Sequence, residues 1–523
     1  MTRGLISSIG VHLYQTVAVL DYGSQYTGLI VRRLRELRVH SRLFPGNASA
    51  QTLKAERIDA IVLSGGPRSV YEDDAPHCDP AILELGAPIL GICYGAQLLA
   101  TALGGAVGES GIREYGRAVA KVVGDSPLTS GLPKRFDVWM SHGDLVNELP
   151  TGAAPVMTTS ATPYAGFAIP ERGLYAVQFH PEVHHTPRGG EILENFLYNI
   201  AGLKGDWVMS DFAETAVRAV REQVGDAKAV MGLSGGVDST VAAVLLSQAI
   251  GDNLTCIFVD NGLLRKGEFE RVRARYGRRF RIEGIRAGDR FLDALKGITD
   301  PERKRKIIGR VFVDVFQEEA HKITGVEYLG QGTLYPDVIE SSGGYGAGGA
   351  AVIKSHHNVG GLPEKMGLKL VEPLRELFKD EVRELGVALG IPEDELRRHP
   401  FPGPGLAVRV IGEVTPERVA TLQEVDSIVL EEIHAAGWYR KLWQAFAVLL
   451  PTASVGVMGD QRTYEAVAAL RMVESEDGMT ADWVEVPYEL IRRISTRITN
   501  EVRGVNRVVY DVSSKPPATI EWE

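Results

Sequence analysis

The run Ala229-Val230-Met231-Gly232-Leu233 leads straight into Ser234-Gly235-Gly236-Val237-Asp238-Ser239-Thr240, and a second apolar run, Val241 to Leu246, leads out. The first run fits a buried strand and the second a helix. A glycine pair in a strand-to-helix turn leaves few folds open, chiefly a parallel sheet covered by helices on both faces. It is also where such proteins hold phosphate. Glycine lets backbone amides approach an anion, and the helix start supplies unpaired N–H groups and a partial positive charge. Ser234 and Ser239 add hydroxyls. The G-x-x-x-x-G-K-[ST] spacing is absent and no lysine follows the glycines, so this is a different phosphate loop. A plain glycine turn is the alternative, and six specified polar and glycine positions between a strand and a helix argue against it.

With 523 residues, the chain has room for roughly three domains at ~150 residues each. A formal charge of −10 opposes a nucleic-acid surface as the main business. Cys78, Cys93 and Cys256 are too scattered for a disulfide framework or a metal site. A reducing, cytoplasmic setting is the economical expectation. Residues 1–15 carry one arginine and no long apolar core, so they are read as an N-terminal extension and not as a signal peptide. The uncharged stretch Leu85 to Gly108 is long enough to cross a bilayer. Pro88 and its glycines divide it instead into a strand, Pro88 to Ile92, and a helix, Ala96 to Leu103.

Up to about Ala201 the pattern alternates. Thr16 to Asp21 reads as a strand, Tyr26 to Arg38 as a helix, and Ala60 to Leu63 and Pro88 to Ile92 as further strands. Sites on such sheets lie beyond the carboxyl ends of the strands. Cys93 stands at one of those ends, in Gly91-Ile92-Cys93-Tyr94-Gly95, which matches the G-x-S-x-G nucleophile elbow with Cys for Ser. The helix start that follows favours a thiolate. A small buried cysteine is the structural alternative, and on this stretch alone the two are even. Val177-Gln178-Phe179-His180-Pro181-Glu182 tips the balance. His180 and Glu182, two apart, share one side of an extended chain. Such a Glu holds the imidazole in its working tautomer while the His takes the thiol proton. Backbone N–H groups of Gly66, in Ser64-Gly65-Gly66-Pro67, and of Tyr94 suit an oxyanion hole. His184 and His185 are adjacent and point apart, so they are given no metal role.

These motifs resemble the class I, triad-type glutamine amidotransferases over nearly all of Thr16 to Ala201. The resemblance implies that Cys93 attacks glutamine, passes through a glutamyl thioester and releases ammonia.

The middle segment repeats the alternation. Gly202 to Asp206 looks like a linker, Trp207 to Gln223 like a helix, and Leu254 to Asp260 like a strand ending on an acid. The loop Ser234 to Thr240 resembles the signature of ATP pyrophosphatases, which cleave ATP between its α and β phosphates. A loop that grips the departing pyrophosphate stabilises its charge. Mg²⁺ with oxygen ligands is expected there, with Asp238 as a ligand and Lys379 as a second charge on the polyphosphate. The densest basic run, Thr299 to Arg310, reads as a mobile lid over the phosphates. Gly343 to Gly349 reads as flexible, and Lys354-Ser355-His356-His357-Asn358 as phosphate or base contacts.

His399-Pro400-Phe401-Pro402-Gly403-Pro404-Gly405 excludes helix and central strand and marks a rigid boundary. A small α+β domain follows, with a helix from Pro416 and another from Pro487 to Glu501 that aligns Ile491, Ile494 and Ile498. The proline-stiffened tail Lys515 to Glu523 suits a site better than a loose end.

An amidotransferase, an ATP pyrophosphatase and a tail reading Lys-Pro-Pro-Ala-Thr-Ile-Glu-Trp-Glu together resemble the glutamine-hydrolysing GMP synthase family. The match extends to Gly459 to Tyr464 and Lys354 to Gly361. The fold class expected is α/β: two doubly wound parallel-sheet domains, residues 16–202 and 203–402, then an α+β domain, 403–523, that dimerises. The resemblance implies that ATP adenylates the C2 oxygen of xanthosine monophosphate (XMP). Ammonia from the glutaminase then displaces AMP to give GMP. It marks Arg310, Lys515 and Glu521 as XMP contacts. The expected partners are small molecules and a second copy, with no membrane and no nucleic acid. A tRNA-sulfur enzyme is the first rival, but it wants catalytic cysteines in the ATP domain, where Cys256 sits alone inside an apolar strand. A silent glutamine- or nucleotide-sensing module is the second, and the intact Cys93, His180 and Glu182 oppose it.

Overall fold

Alternating apolar strands and amphipathic helices assemble as their sequence periods require. The computed structural model describes residues 14–341, 366–458, 461–475, 478 and 480–523. They form two compact units, residues 14–215 and residues 216–337 with 366–523.

In the first unit, strands Thr16–Asp21, His40–Pro45, Ile58–Leu63, Ile89–Ile92 and Leu174–Val177 run parallel. Val17 to Leu20 and Ala60 to Leu63 are fully buried, as two-sided coverage demands. The sheet then continues antiparallel through Gly166–Ile169, Ala154–Thr158, Ala106–Val122 and Arg135–Glu148. The reading of a purely parallel sheet did not include this extension, whose long last hairpin alternates exposed and buried residues. Leu85 to Gly108 divides at Cys93 into a strand and the helix Tyr94–Ala102. Among the described residues no helix is long and apolar enough to cross a membrane.

In the second unit, five parallel strands lie in the order Arg281–Arg286, Leu254–Asp260, Lys228–Leu233, Val326–Gly330 and Lys369–Val371. Lys228–Leu233 is central, so the glycine turn after it emerges at mid-sheet. The helix Val237–Ile250 that follows is apolar nearly all round and buried. A second sheet pairs Gln444–Met458 antiparallel with Gln461–Glu474, and Val505–Tyr510 parallel with the latter. The Pro-rich run His399 to Gly405 does not separate two cores. One apolar cluster extends from Val230 and Phe316 through Leu406 to Ile494 and Val505. The helix expected at Pro487 to Glu501 is Tyr488–Glu501, and it buries Leu490, Ile494 and Ile498, leaving Ile491 at the margin.

One expectation is overturned. The basic run is no mobile lid. Asp300 caps a continuous helix, Pro301–His321, by accepting a hydrogen bond from the Arg303 N–H at 2.7 Å. Lys304 inside it is fully buried, donating to the Val410 carbonyl at 2.8 Å and pairing with the Glu523 carboxylate. The lysine is an anchor for the tail, and helical spacing puts it on the buried side while Arg303, Lys306 and Arg310 face water.

Candidate active site

At the first unit's strand ends, Cys93 caps the helix Tyr94–Ala102 with φ 55° and ψ −106°. This is a sparsely populated conformation, and it costs of order 1–3 kcal/mol. The two glycines of the motif make it possible. A Cβ on Gly95 would stand 2.2 Å from the Leu63 carbonyl oxygen, and one on Gly91 2.6 Å from that of Gly95. The strand and the helix therefore cross at a spacing that only glycine allows, and the elbow projects the thiol. As the first helical residue, Tyr94 has no intrahelical acceptor for its N–H. Gly66 lies against it: a Cβ there would meet Tyr94 Cγ at 3.2 Å and the Tyr22 carbonyl oxygen at 2.9 Å. Ser64 fixes that turn, accepting from the Tyr22 N–H at 3.0 Å.

His180 Nδ1 lies 2.7 Å from Oε1 of Glu182, and both side chains are buried. Burial alone would favour the neutral imidazole. The neighbouring Cys93 and Glu182 outweigh it and lift the His180 pKa to about 11. The site thus favours the charged imidazole. The other oxygen of Glu182 has no hydrogen-bond partner among the described residues. Thr186 holds the turn, donating to the His180 carbonyl at 2.6 Å and accepting from the Trp139 N–H at 3.0 Å. The His185 ring lies on Trp139 with centroids 4.4 Å apart.

A cleft of about 450 Å³ opens on Cys93. Gly66, Tyr94 and Ser141 to Asp144 help to line it. Gln97 Nε2 donates to the Asp144 carbonyl at 2.8 Å, and Tyr71 to the Asp144 carboxylate at 2.9 Å. Sequence reasoning missed these residues. Gln97 stands four positions after Cys93, on the same helix face. Ser141-His142-Gly143-Asp144 is a polar interruption in a strand, which was a usable signal.

In the second unit, Ser234 to Thr240 forms the expected strand-to-helix turn. Gly235 adopts φ 75°, and Gly236 caps the helix Val237–Ile250 in an extended conformation. The Ser234 and Ser239 hydroxyls are 2.9 Å apart, and the Gly236 N–H donates to Ser234 Oγ at 3.2 Å. Thr240 is buried, its N–H committed to the Gly236 carbonyl at 3.1 Å, which closes the first helical turn. Lys379 begins the helix Lys379–Ala388 and reaches Asp238 Oδ2 at 3.3 Å. Oδ1 of Asp238 is buried without a hydrogen-bond partner among the described residues. Arg398, also missed, donates to the Gly235 carbonyl at 2.8 Å and to Glu268 at 2.7 Å.

Known families match the same segments. A glutamine amidotransferase class-I profile matches residues 18–200, an NAD synthase profile 209–262 and a GMP synthase C-terminal domain profile 431–522. A glutamine-hydrolysing GMP synthase from Carboxydothermus hydrogenoformans is 58% identical over 97% of this chain and 99% of its own length. One from Phenylobacterium zucineum is 58% identical over 98% and 99%. One from Geobacillus kaustophilus is 55% identical over 97% and 99%.

The chain belongs to the glutamine-hydrolysing GMP synthase family.

Its membership extends over the tail as well as both loops. There Lys515 Nζ donates to the Gly478 carbonyl at 2.7 Å, and its backbone pairs with Ala481. Both oxygens of Glu521 are engaged by Arg409, at 2.8 and 3.0 Å, and one of them also by Gln444 at 2.8 Å. Glu521 therefore holds the tail in place, and a further ligand would have only its remaining lone pairs. Arg310 is exposed on the helix Pro301–His321. The glycine-rich stretch Gly343 to Gly349, and Lys354 to Gly361 and Gly459-Asp460 of the family's pattern, lie outside the described residues.

Proposed function

We propose that this chain makes GMP from XMP, ATP and glutamine, in two sites. The observation that carries the reading is the strained Cys93 elbow at a strand end, together with a buried His180 whose Nδ1 is held on Glu182 at 2.7 Å. In this reading Cys93 attacks the glutamine carboxamide, and His180 returns the proton to the departing ammonia. The N–H groups of Gly66 and Tyr94 hold the developing oxyanion. Water then cleaves the glutamyl thioester.

In the second site Ser234, Gly235, Gly236, Val237, Asp238, Ser239 and Thr240, with Lys379, hold ATP. Ser234 and Ser239 hydroxyls and the helix start meet the β and γ phosphates, and Lys379 leaves Asp238 to meet them too. The lone buried oxygen of Asp238 fits a hard cation such as Mg²⁺, whose other ligands would be phosphate oxygens and water. Such an ion neutralises the charge that gathers on departing pyrophosphate. Arg310, Lys515 and Glu521 are the proposed XMP contacts. Residues 16–202, 203–402 and 403–523 are the proposed functional divisions, the last also dimerising, and the cytoplasm is the proposed setting.

The test supplies Mg-ATP and XMP with either glutamine or ammonium. GMP, AMP and pyrophosphate are expected from both nitrogen sources. ADP as product would sink the phosphate-loop reading. Cys93→Ala should abolish the glutamine reaction and spare the ammonium one; equal loss of both would sink the two-site reading.

A further inference from the structure

Between the phosphate loop and the tail runs a line of paired charges that the reaction itself does not use. Arg398 holds the Gly235 carbonyl at 2.8 Å and Glu268 Oε1 at 2.7 Å. The other Glu268 oxygen accepts from the Arg265 N–H at 3.2 Å. The Arg265 guanidinium lies 3.3 Å from Asp426 Oδ2, and that of Arg409 lies 3.9 Å from Oδ1. Arg409 then grips Glu521 with two hydrogen bonds. The Phe401 ring lies against both arginines, 5.0 Å from Arg265 and 5.2 Å from Arg409.

The middle of the line is slack where its ends are tight. Asp426 is 1% exposed, yet among the described residues neither of its oxygens makes a hydrogen bond. Nε and Nη2 of Arg265 and Nη1 of Arg409 are likewise buried without one among the described residues. A buried carboxylate between two guanidiniums is costly unless its hydrogen bonds are made. Contacts of 3.3 to 3.9 Å are too long or misaligned to be good ones. A movement of under ~1 Å would convert them into direct charge-assisted bonds. A buried triad held just short of its hydrogen bonds suits an element with two arrangements, each able to be biased from either end.

We infer that Asp426 is a positioning residue that couples the two ends. XMP drawing on the tail tightens Arg409 on Asp426. Asp426 then draws on Arg265 and, through Glu268 and Arg398, turns the Gly235 peptide into its phosphate-binding pose. Linkage makes the effect reciprocal. The inference rests on the reading that the loop binds ATP and the tail XMP.

The test measures binding of an ATP analogue that resists α–β cleavage, by calorimetry on the full chain with and without saturating XMP. In the wild type XMP should tighten the analogue about tenfold, within the ordinary range of site coupling. Asp426→Asn should leave analogue affinity without XMP within about twofold and cut the XMP effect below about threefold. Arg398→Lys, which keeps the charge but cannot hold Gly235 and Glu268 together, should also lose the effect, and it decides the matter if Asp426→Asn does not fold. A wild type without the XMP effect, or variants that retain it, overturns the inference. Failure of the wild type to form GMP would instead remove the reading beneath it.

Discussion

The carbonyl oxygen of Leu63 stands 2.2 Å from the place a Cβ on Gly95 would occupy, so strand and helix meet there with backbone against backbone. Relief would require the helix Tyr94–Ala102 to move, and Cys93 caps that helix. Gly95→Ala should therefore lower glutamine-driven GMP formation at least ~100-fold, since small misplacements of a reacting group cost that much. The ammonium-driven rate should stay within about twofold. Parallel assays with the two nitrogen sources check this, and an unchanged glutamine rate would refute it.

Glu182 acts on His180 from a fully buried position. Its charge is one of the two that raise the imidazole pKa against burial. Glu182→Gln keeps the shape and removes the charge. His180 should lose part of its bias toward the charged form, and glutamine turnover should fall by ~10²–10⁴, the usual worth of an oriented acid–base group. The fraction of Cys93 alkylated per minute by iodoacetamide should fall with it. Ammonium-driven synthesis is the internal control.

Both of these local sites were readable because short-range geometry dictates them. A cysteine between two glycines at a strand end has few backbone solutions, and His180 and Glu182 are close in sequence. Ser234 to Thr240 was readable for the same reason. The residues that were missed meet across long sequence separations. Arg398 reaches Gly235 from 163 positions away, and Tyr71 reaches Asp144 from 73. Lys304 shows the opposite failure. In sequence it is one cation in a basic run, and only the tail, 219 positions on, makes it an anchor. The antiparallel half of the first sheet escaped because bulges interrupt its pairing, between Glu109 and Glu114 in one strand pair and between Pro155 and Met157 in another.

His399 is held neutral. Burial is the chief cause, and it lowers the pKa to about 4. Nδ1 accepts from the Ala445 N–H at 3.2 Å, so Nε2 carries the proton shared with the Tyr439 carbonyl at 2.8 Å. Unfolding returns the group to about 6.5. Between those values the unfolded chain binds more protons than the folded one, so this contribution is present above pH ~6.5 and is lost as pH falls toward 4. The loss totals about 3 kcal/mol at the acid end. His399→Gln should be less stable at neutral pH but should lose less between pH 7 and pH 5. Urea unfolding of both proteins at the two values gives the comparison, and parallel losses would count against a neutral His399.

Lys304 and Glu523 form a pair in which both side chains are almost wholly buried, with exposures of 0% and 6%. Burial weakens the lysine's hold on its proton, and the Glu523 carboxylate works against that. Glu523 also accepts from the Gly412 N–H at 3.1 Å, so the pair fastens the tail to two separate parts of the second unit. Removing one partner leaves a buried charge uncompensated, which typically costs 3–5 kcal/mol. Replacing both with apolar or neutral groups of similar size is often close to neutral. Glu523→Gln should therefore destabilise the protein by about 3 kcal/mol, and adding Lys304→Met should recover most of that. If the pair only fastens the tail, the double variant should regain thermal stability yet keep a raised KM for XMP, because the tail that carries Lys515 is no longer tied by charge. Full recovery of both would mean that packing alone positions the tail. Thermal scans and XMP titrations on the three variants separate these outcomes.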